Sequence, residues 1–288
     1  MIQCIIFKFK ALTKSVEVYF MCLDTKFESL KKRLKEMERV VVAFSGGVDS
    51  SFLLKVANEV LGDNVLAVTA KSSTYPEREF REAMQFVSDY AIPHRVIVSE
   101  ELEVEGFAEN PLNRCYLCKK ELFSKIKQIA IDEGYKFVAE GSNKDDLGDY
   151  RPGLQAISEL SIVSPLKDAG LTKNDIRTLS KELGLKTWDK PSFACLSSRF
   201  PYGEKITAEK LQMVDKAEQF LIDLGFRQIR VRHHGNVARI EVEEENIEKF
   251  LDKQIRDAVY TKFREIGYVH VALDLKGYRT GSMNEGVI

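Results

Sequence analysis

Residues 40–52 read VVVAFSGGVDSSF. Three valines followed by Ala43 and Phe44 make a run that is apolar on both faces, as expected of a strand buried inside a sheet. The chain then switches to small and hydroxyl-bearing residues, Ser45-Gly46-Gly47, and on to Asp49, Ser50 and Ser51. SFLLKVANEVLG (51–62) has helical apolar spacing and ends on Gly62. The predicted order is strand, tight loop, helix. Such a loop gathers backbone N–H groups around one point, and the helix dipole adds positive potential there. Gly46 and Gly47 leave the backbone open to a phosphate, and Ser45, Ser50 and Ser51 add hydroxyl donors. Asp49 is out of place in an anion site unless a cation is present. Mg²⁺ carried by nucleotide phosphates meets that need. No lysine follows the glycines, which excludes the Walker pattern.

Outward from this stretch the rhythm repeats. NVLAVTA (64–70), HRVIVSE (94–100), KFVAEG (136–141) and SIVSPL (161–166) read as strands. PEREFREAMQFVSDYA (76–91), CKKELFSKIKQIAIDEG (118–134) and TKNDIRTLSKELG (172–184) read as helices. Alternation of this kind predicts an α/β domain, a parallel sheet covered by helices on both faces. DTKFESLKKRLKEMER (24–39) predicts an amphipathic helix before it. LKTWDKPSFACLSSRFPYGEKIT (185–207) breaks the rhythm and reads as a functional linker. A helix (208–225), two strands turning at Gly235–Asn236, a helix over about 245–266 and a strand (270–276) predict a small α+β domain. The expected organisation is an extension (1–20), a nucleotide-type domain (21–190), a linker (191–206) and the small domain (207–288).

The chain has 288 residues, 44% hydrophobic and 30% charged, with a net charge of −1. After residue 200 there are 14 Lys and Arg against 15 Asp and Glu, so no basic surface for nucleic acid is expected. No apolar run approaches the roughly 20 residues of a membrane helix, and the lysine-broken N-terminus does not read as a secretory signal. The expectation is a cytoplasmic protein. Five cysteines argue against a disulfide framework there. Cys115 and Cys118 form a C-x-x-C pair at a helix start, where the dipole, Arg114, Lys119 and Lys120 should favour thiolate. Two cysteines are too few for a closed zinc site. With Cys195 in the linker, three thiolates suffice for three irons of a four-iron cluster. Three unrelated reduced thiols are the alternative, and the sequence leaves both open.

A second constellation lies in RVRHHG (230–235). On a strand Arg230, Arg232 and His234 share one face, with Ile229 and Val231 on the other. Two arginines so spaced suit a phosphate or carboxylate clamp, with Ser198 as a further donor and Glu218 able to fix an arginine. A solvated sheet face is the alternative. AEGSNKDD (139–146) places Gly141, an asparagine and paired aspartates at a strand end, again a candidate contact to nucleotide.

SGGVDS matches the pyrophosphate loop SGGxDS and resembles that of the PP-loop ATP pyrophosphatases: GMP, NAD and argininosuccinate synthetases and tRNA-thiolating enzymes. VAFSGGVDSSFL, NPLNRCYLCKKELF, AEGSNKDDLGDYRPG, PSFACLSSRFPYGE and IRVRHHGNVARIE together resemble the LarE family of sulfur transferases, over nearly everything after residue 21. The resemblance implies that Ser45, Gly46, Gly47, Asp49, Ser50, Ser51 and Gly141 hold ATP with Mg²⁺. It implies that ATP adenylylates a pyridinium carboxylate of a nicotinate-derived mononucleotide, and that sulfur displaces AMP to give a thiocarboxylate for a nickel-pincer cofactor. Ser198, Glu218, Arg230 and Arg232 fall to that substrate, and Cys195 and Asp49 to catalysis. The family has two styles: Cys195 alone surrendering its sulfur, or Cys115, Cys118 and Cys195 holding a [4Fe-4S] cluster. The three cysteines fit the cluster style. The sulfide source is unspecified, no nucleic acid or membrane partner is implied, and a homo-oligomer is expected. A tRNA thiolase, an amide-forming synthetase and a non-catalytic adenine-nucleotide binding module are the competing readings.

Overall fold

β1 (Val40–Ala43) is the centre on which the first half of the molecule is built. The computed structural model describes residues 22–146 and 152–285, so the extension 1–20 lies outside the described residues. A helix over 22–37 (α1) enters β1. Then come α2 (Val48–Leu61), β2 (Val65–Lys71), α3 (Glu77–Asp89), β3 (His94–Val98), α4 (Arg114–Asp132) and β4 (Phe137–Ala139). Three helices close this half: α5 (Pro152–Glu159), α6 (Pro165–Asp168) and α7 (Lys173–Glu182). The strands form one parallel sheet in the order β3-β2-β1-β4. This is the expected α/β domain.

Strand alternation explains why both faces are covered. Val40 and Val42 point into one cluster with α1, α2 and α7 (Leu30, Leu34, Phe52, Ile176), whereas Val41 points into another with Phe123, Ile126 and Ile157 of α4 and α5. All three valines are fully buried, each stabilising the fold by about 1.5–3 kcal/mol relative to exposure. The chain builds outward from β1 to β2 and β3, then returns to place β4 on the other side of β1. Ligands of open α/β sheets bind at such a reversal, beyond the carboxyl ends of the strands.

SIVSPL does not form a full strand: it contributes one parallel bridge, Ala139 to Val163, before Pro165 starts α6. Proline lacks the N–H a longer ladder would need. The C-terminal half is a small α+β unit of α8 (Ala208–Asp223), β5 (Ile229–His234), β6 (Val237–Val242), α9 (Lys253–Ile266) and β7 (His270–Leu273). β5 and β6 pair antiparallel through the Gly235–Asn236 turn, and β7 joins β6 in parallel. The helix expected over 245–266 is broken. A 3₁₀ run (Glu244–Leu251) precedes α9, because Asp252 accepts from the amides of Gln254 and Ile255 and caps a new helix there. Among the described residues no helix is long and apolar enough to cross a membrane.

Candidate functional site

The loop between β1 and α2 sits at the carboxyl edge of the sheet. Gly46 has φ +64°, and a Cβ there would stand 3.0 Å from Ala83 Cβ, so only glycine suits the position. The Ser50 hydroxyl lies 3.3 Å from the Ser45 amide that donates to it and 3.1 Å from Ser45 Oγ, and it donates to Gly47 O at 3.2 Å. The loop is thereby closed on the first turn of α2. Tyr75 Oη donates to Ser45 O at 2.7 Å from the neighbouring β2–α3 loop. Gly141, just past β4, presses on the same turn: a Cβ there would lie 3.1 Å from Ser50 N.

Asp49 occupies the first turn of α2. Its Oδ2 accepts from Lys173 Nζ at 2.5 Å, while Oδ1 is buried without a partner among the described residues. Burial pushes this carboxyl up, opposed by the Lys173 charge and hydrogen bond and reinforced by Asp146. Ser51 Oγ is likewise buried and unpartnered. An orphaned carboxylate oxygen and hydroxyl in the first turn after this loop suit a metal–phosphate ligand. Lys173 and Lys190 flank this loop, and sequence reasoning missed both. Lys190 Nζ donates to Gly46 O (3.2 Å) and pairs with Glu79 (2.7 Å) and Glu82 (2.6 Å). A signal for Lys173 was present: Thr172 and Asp175 form a capping box that puts Lys173 at the first position of α7.

α4 starts at Arg114, so Cys115 is its second residue and Cys118, about one turn on, its fifth. Cys115 is exposed, while Cys118 and Cys195 are partly buried. The three thiols are within electrostatic range of one another. Burial pushes the Cys118 thiol well up, and Glu101, Cys195 and Cys115 push it further. Burial also raises Cys195, with Arg114 and Arg199 opposing and Cys115 and Glu101 adding. At Cys118, burial and Glu101, 3.8 Å from its Sγ, act against the thiolate expected at a helix start. Lys120 instead reaches Tyr116 Oη at 3.0 Å. Among the described residues no three His, Cys, Asp or Glu side chains converge on a point that could hold a single metal ion. The donor chemistry fits a cube, in which each thiolate takes a different iron and the sulfurs stand farther apart than the ligands of one ion. The Cys195 segment touches the β2–α3 loop, whose Tyr75 contacts Ser45: Leu196 N donates to Thr74 O at 2.9 Å, and Phe193 packs edge-on against Tyr75.

Arg230 and Arg232 do share a face of β5, but that face is covered. Both are under 10% exposed. Arg230 Nη2 donates to Ser192 O at 2.7 Å. Arg232 donates to Ser198 O (3.1 Å), Ser282 Oγ (3.0 Å) and Glu241 (2.7 Å). Burial, aided by Arg199, lowers Arg230 to about 10. Glu218 fixes Arg199 rather than either strand arginine, through two 2.9 Å contacts in a fully buried pair. Arg199 in turn donates to Ala194 O (2.6 Å), Cys195 O (3.1 Å) and Ser198 Oγ (2.9 Å). The linker around Cys195 is thus held by arginines through its carbonyl oxygens.

Comparison with known proteins meets this geometry. The NAD synthase family matches residues 23–109, the segment that carries the loop. The pyridinium-3,5-bisthiocarboxylic acid mononucleotide synthase of Lactiplantibacillus plantarum is 40% identical over 91% of this chain and 95% of its own length. The chain belongs to the LarE family. As a member it is an ATP-dependent sulfurtransferase built on the PP-loop fold. Uncharacterised proteins of Synechocystis (44% identical, 91% of this chain, 98% of theirs) and Methanocaldococcus jannaschii (31%, 88% and 98%) are similar over the same extent.

Proposed function

We propose that this chain adenylylates a pyridinium carboxylate of a nicotinate-derived mononucleotide and converts it to a thiocarboxylate, a step in making a nickel-pincer cofactor. The observation that supports the reading is that Arg114, next to Cys115, donates to Ser197 O (3.0 Å) in the Cys195 segment, while Leu196 N of that segment donates to Thr74 O (2.9 Å) in the loop whose Tyr75 contacts Ser45. Residues 21–190 activate ATP, 191–206 are the functional linker, and 207–288 serve the substrate and a homo-oligomer in the cytoplasm. Ser45, Gly46, Gly47, Ser50 and Ser51 bind the β- and γ-phosphates, with Gly141 closing the pocket. Asp49 holds Mg²⁺ through the oxygen that has no partner among the described residues, and the metal offsets charge on the departing pyrophosphate.

Arg230, Arg232 and Ser198 receive the substrate's phosphate, trading the carbonyls of Ser192 and Ser198 for phosphate oxygens, with Glu218 setting the cationic group through Arg199. Cys115, Cys118 and Cys195 are the ligands of a [4Fe-4S] cluster. When bound, the cluster supplies sulfide to the activated carboxylate. The protein's own part is to bring that carboxylate and the sulfur together before water reaches the adenylate.

The test is anaerobic purification, iron and sulfide analysis, and mass spectrometry of Cys195 before and after turnover. Cluster-dependent transfer requires about four irons per chain, the nuclearity of the cube, and an unchanged Cys195. Ala at any of the three cysteines then removes iron and multiple turnover together. Iron-free single turnover with Cys195 lighter by about 34 Da, the loss of H₂S from a thiol, would show sacrificial donation instead.

A further inference from the structure

Cys115 and Cys118 are some eighty residues from Cys195 in sequence, and different elements carry them. A short polar strut links the two segments that carry them. Arg114, immediately before Cys115, is buried and donates from Nη1 to Asn110 Oδ1 and to Ser197 O (3.0 Å), two residues beyond Cys195. Asn110 is fully buried and sits at φ +55°, a left-handed conformation that asparagine tolerates better than most residues. Its Nδ2 donates to Phe200 O (3.3 Å) and Pro201 O (2.6 Å), and its own carbonyl accepts from Gly203 N (3.0 Å). Ile206 N donates to Ala108 O at 2.8 Å and continues the lacing.

These bonds join only two segments, the approach to α4 and the chain after Cys195. The Asn110 amide is spent on protein acceptors and is buried, so it is not available to a ligand. Asparagine supplies both a carbonyl for the guanidinium and an N–H₂ for two backbone carbonyls. Arginine's planar fork lets one nitrogen serve acceptors from both segments. Aspartate in place of Asn110 would lose the N–H₂ side of the bridge.

We propose that Asn110 and Arg114 are positioning residues of the sulfur-transfer reaction. They hold the Cys115–Cys118 turn and the Cys195 segment in fixed register, so that the three sulfurs face one another before any metal or substrate arrives. The proposal deepens the reading of the three thiols as one sulfur centre. Its readout needs neither iron nor substrate, so its failure is distinguishable from failure of the cluster reading, which iron content scores.

The experiment is cross-linking of the reduced, iron-free, full-length chain with a short homobifunctional maleimide under anaerobic conditions. Peptide mass mapping follows the species joining Cys195 to Cys115 or Cys118. ATP binding by calorimetry is run in parallel, since the phosphate loop is contacted by neither strut residue in the bonds above. Wild type should give the cross-link. Arg114→Gln or Asn110→Ala should lower its rate by about tenfold or more, as when two groups lose a fixed mutual geometry, while ATP affinity is kept. A loss in either variant with ATP binding intact supports the strut. Absence of the cross-link in wild type, an unchanged rate in both variants, or loss of ATP binding in step with cross-linking in both would overturn it.

Discussion

Replacing Glu218 by Ala removes the anion from a pair in which neither partner is reached by solvent. Glu218 Oε1 and Oε2 each accept from Arg199 at 2.9 Å, and Oε1 also accepts from the Val231 amide at 2.9 Å. Burial by itself would raise this carboxyl. The charge and hydrogen bonds of Arg199 outweigh it and hold Glu218 below the ordinary carboxylate range. Truncation leaves a buried guanidinium without counter-charge, which costs about 3–5 kcal/mol, and an orphaned amide, which costs about 1–3 kcal/mol. One carboxylate serves both, so the costs overlap and about 4–6 kcal/mol is expected. That is much of the roughly 5–15 kcal/mol that holds an ordinary domain together. Urea unfolding followed by circular dichroism should therefore show an early transition for Glu218→Ala, with Glu218→Gln between it and wild type. The pH dependence has a definite sign. A folded-state pKa below the unfolded value contributes stability that is full above about pH 5 and is lost as pH falls through the folded value. The gap between wild type and Glu218→Gln should thus be constant near neutrality and shrink in acid. A Glu218→Ala protein within about 1 kcal/mol of wild type, with weakened substrate binding, would refute this argument and return Glu218 to direct substrate contact.

Gly141→Ala sets a methyl 3.1 Å from Ser50 N and 3.3 Å from its Cα, backbone that has little room to yield; ATP affinity by calorimetry should fall about tenfold as the loop is displaced, and unaltered affinity would remove Gly141 from the nucleotide site. Asp49→Ala should abolish pyrophosphate release while the fold survives, since the carboxylate oxygen left without a protein partner is the one assigned to Mg²⁺; undiminished release sinks that assignment. Arg230→Ala and Arg232→Ala should raise the substrate concentration needed for turnover and leave ATP binding nearly intact, and substrate affinity unchanged in the double variant would place the phosphate elsewhere.

Much of this protein could be read from local chemistry. The valine run, the glycine pair and the apolar spacing after it determine strand, loop and helix, because the interactions that select them lie within a few residues. The same holds for the Gly235–Asn236 hairpin and for Cys115 and Cys118 standing about one turn apart at the start of α4. The 3₁₀ run before α9 and the reduction of SIVSPL to one bridge were less legible, since a cap at Asp252 and a proline after Ser164 compete with periodicity.

What tertiary structure alone decided is who meets whom. Nothing near Asp49 in the chain announces Lys173, 124 positions on, and nothing near Gly46 announces Lys190. β-Strand alternation put Arg230 and Arg232 on one face but could not say that the linker and Ser282 cover it. The surroundings of Cys118 depended on the same kind of information: it starts from a helix N-terminus, yet it is desolvated beside Glu101, a residue from the turn after β3. Side-chain periodicity is a property of a single element, whereas burial and electrostatic partnership arise only when elements far apart in sequence exclude water between them.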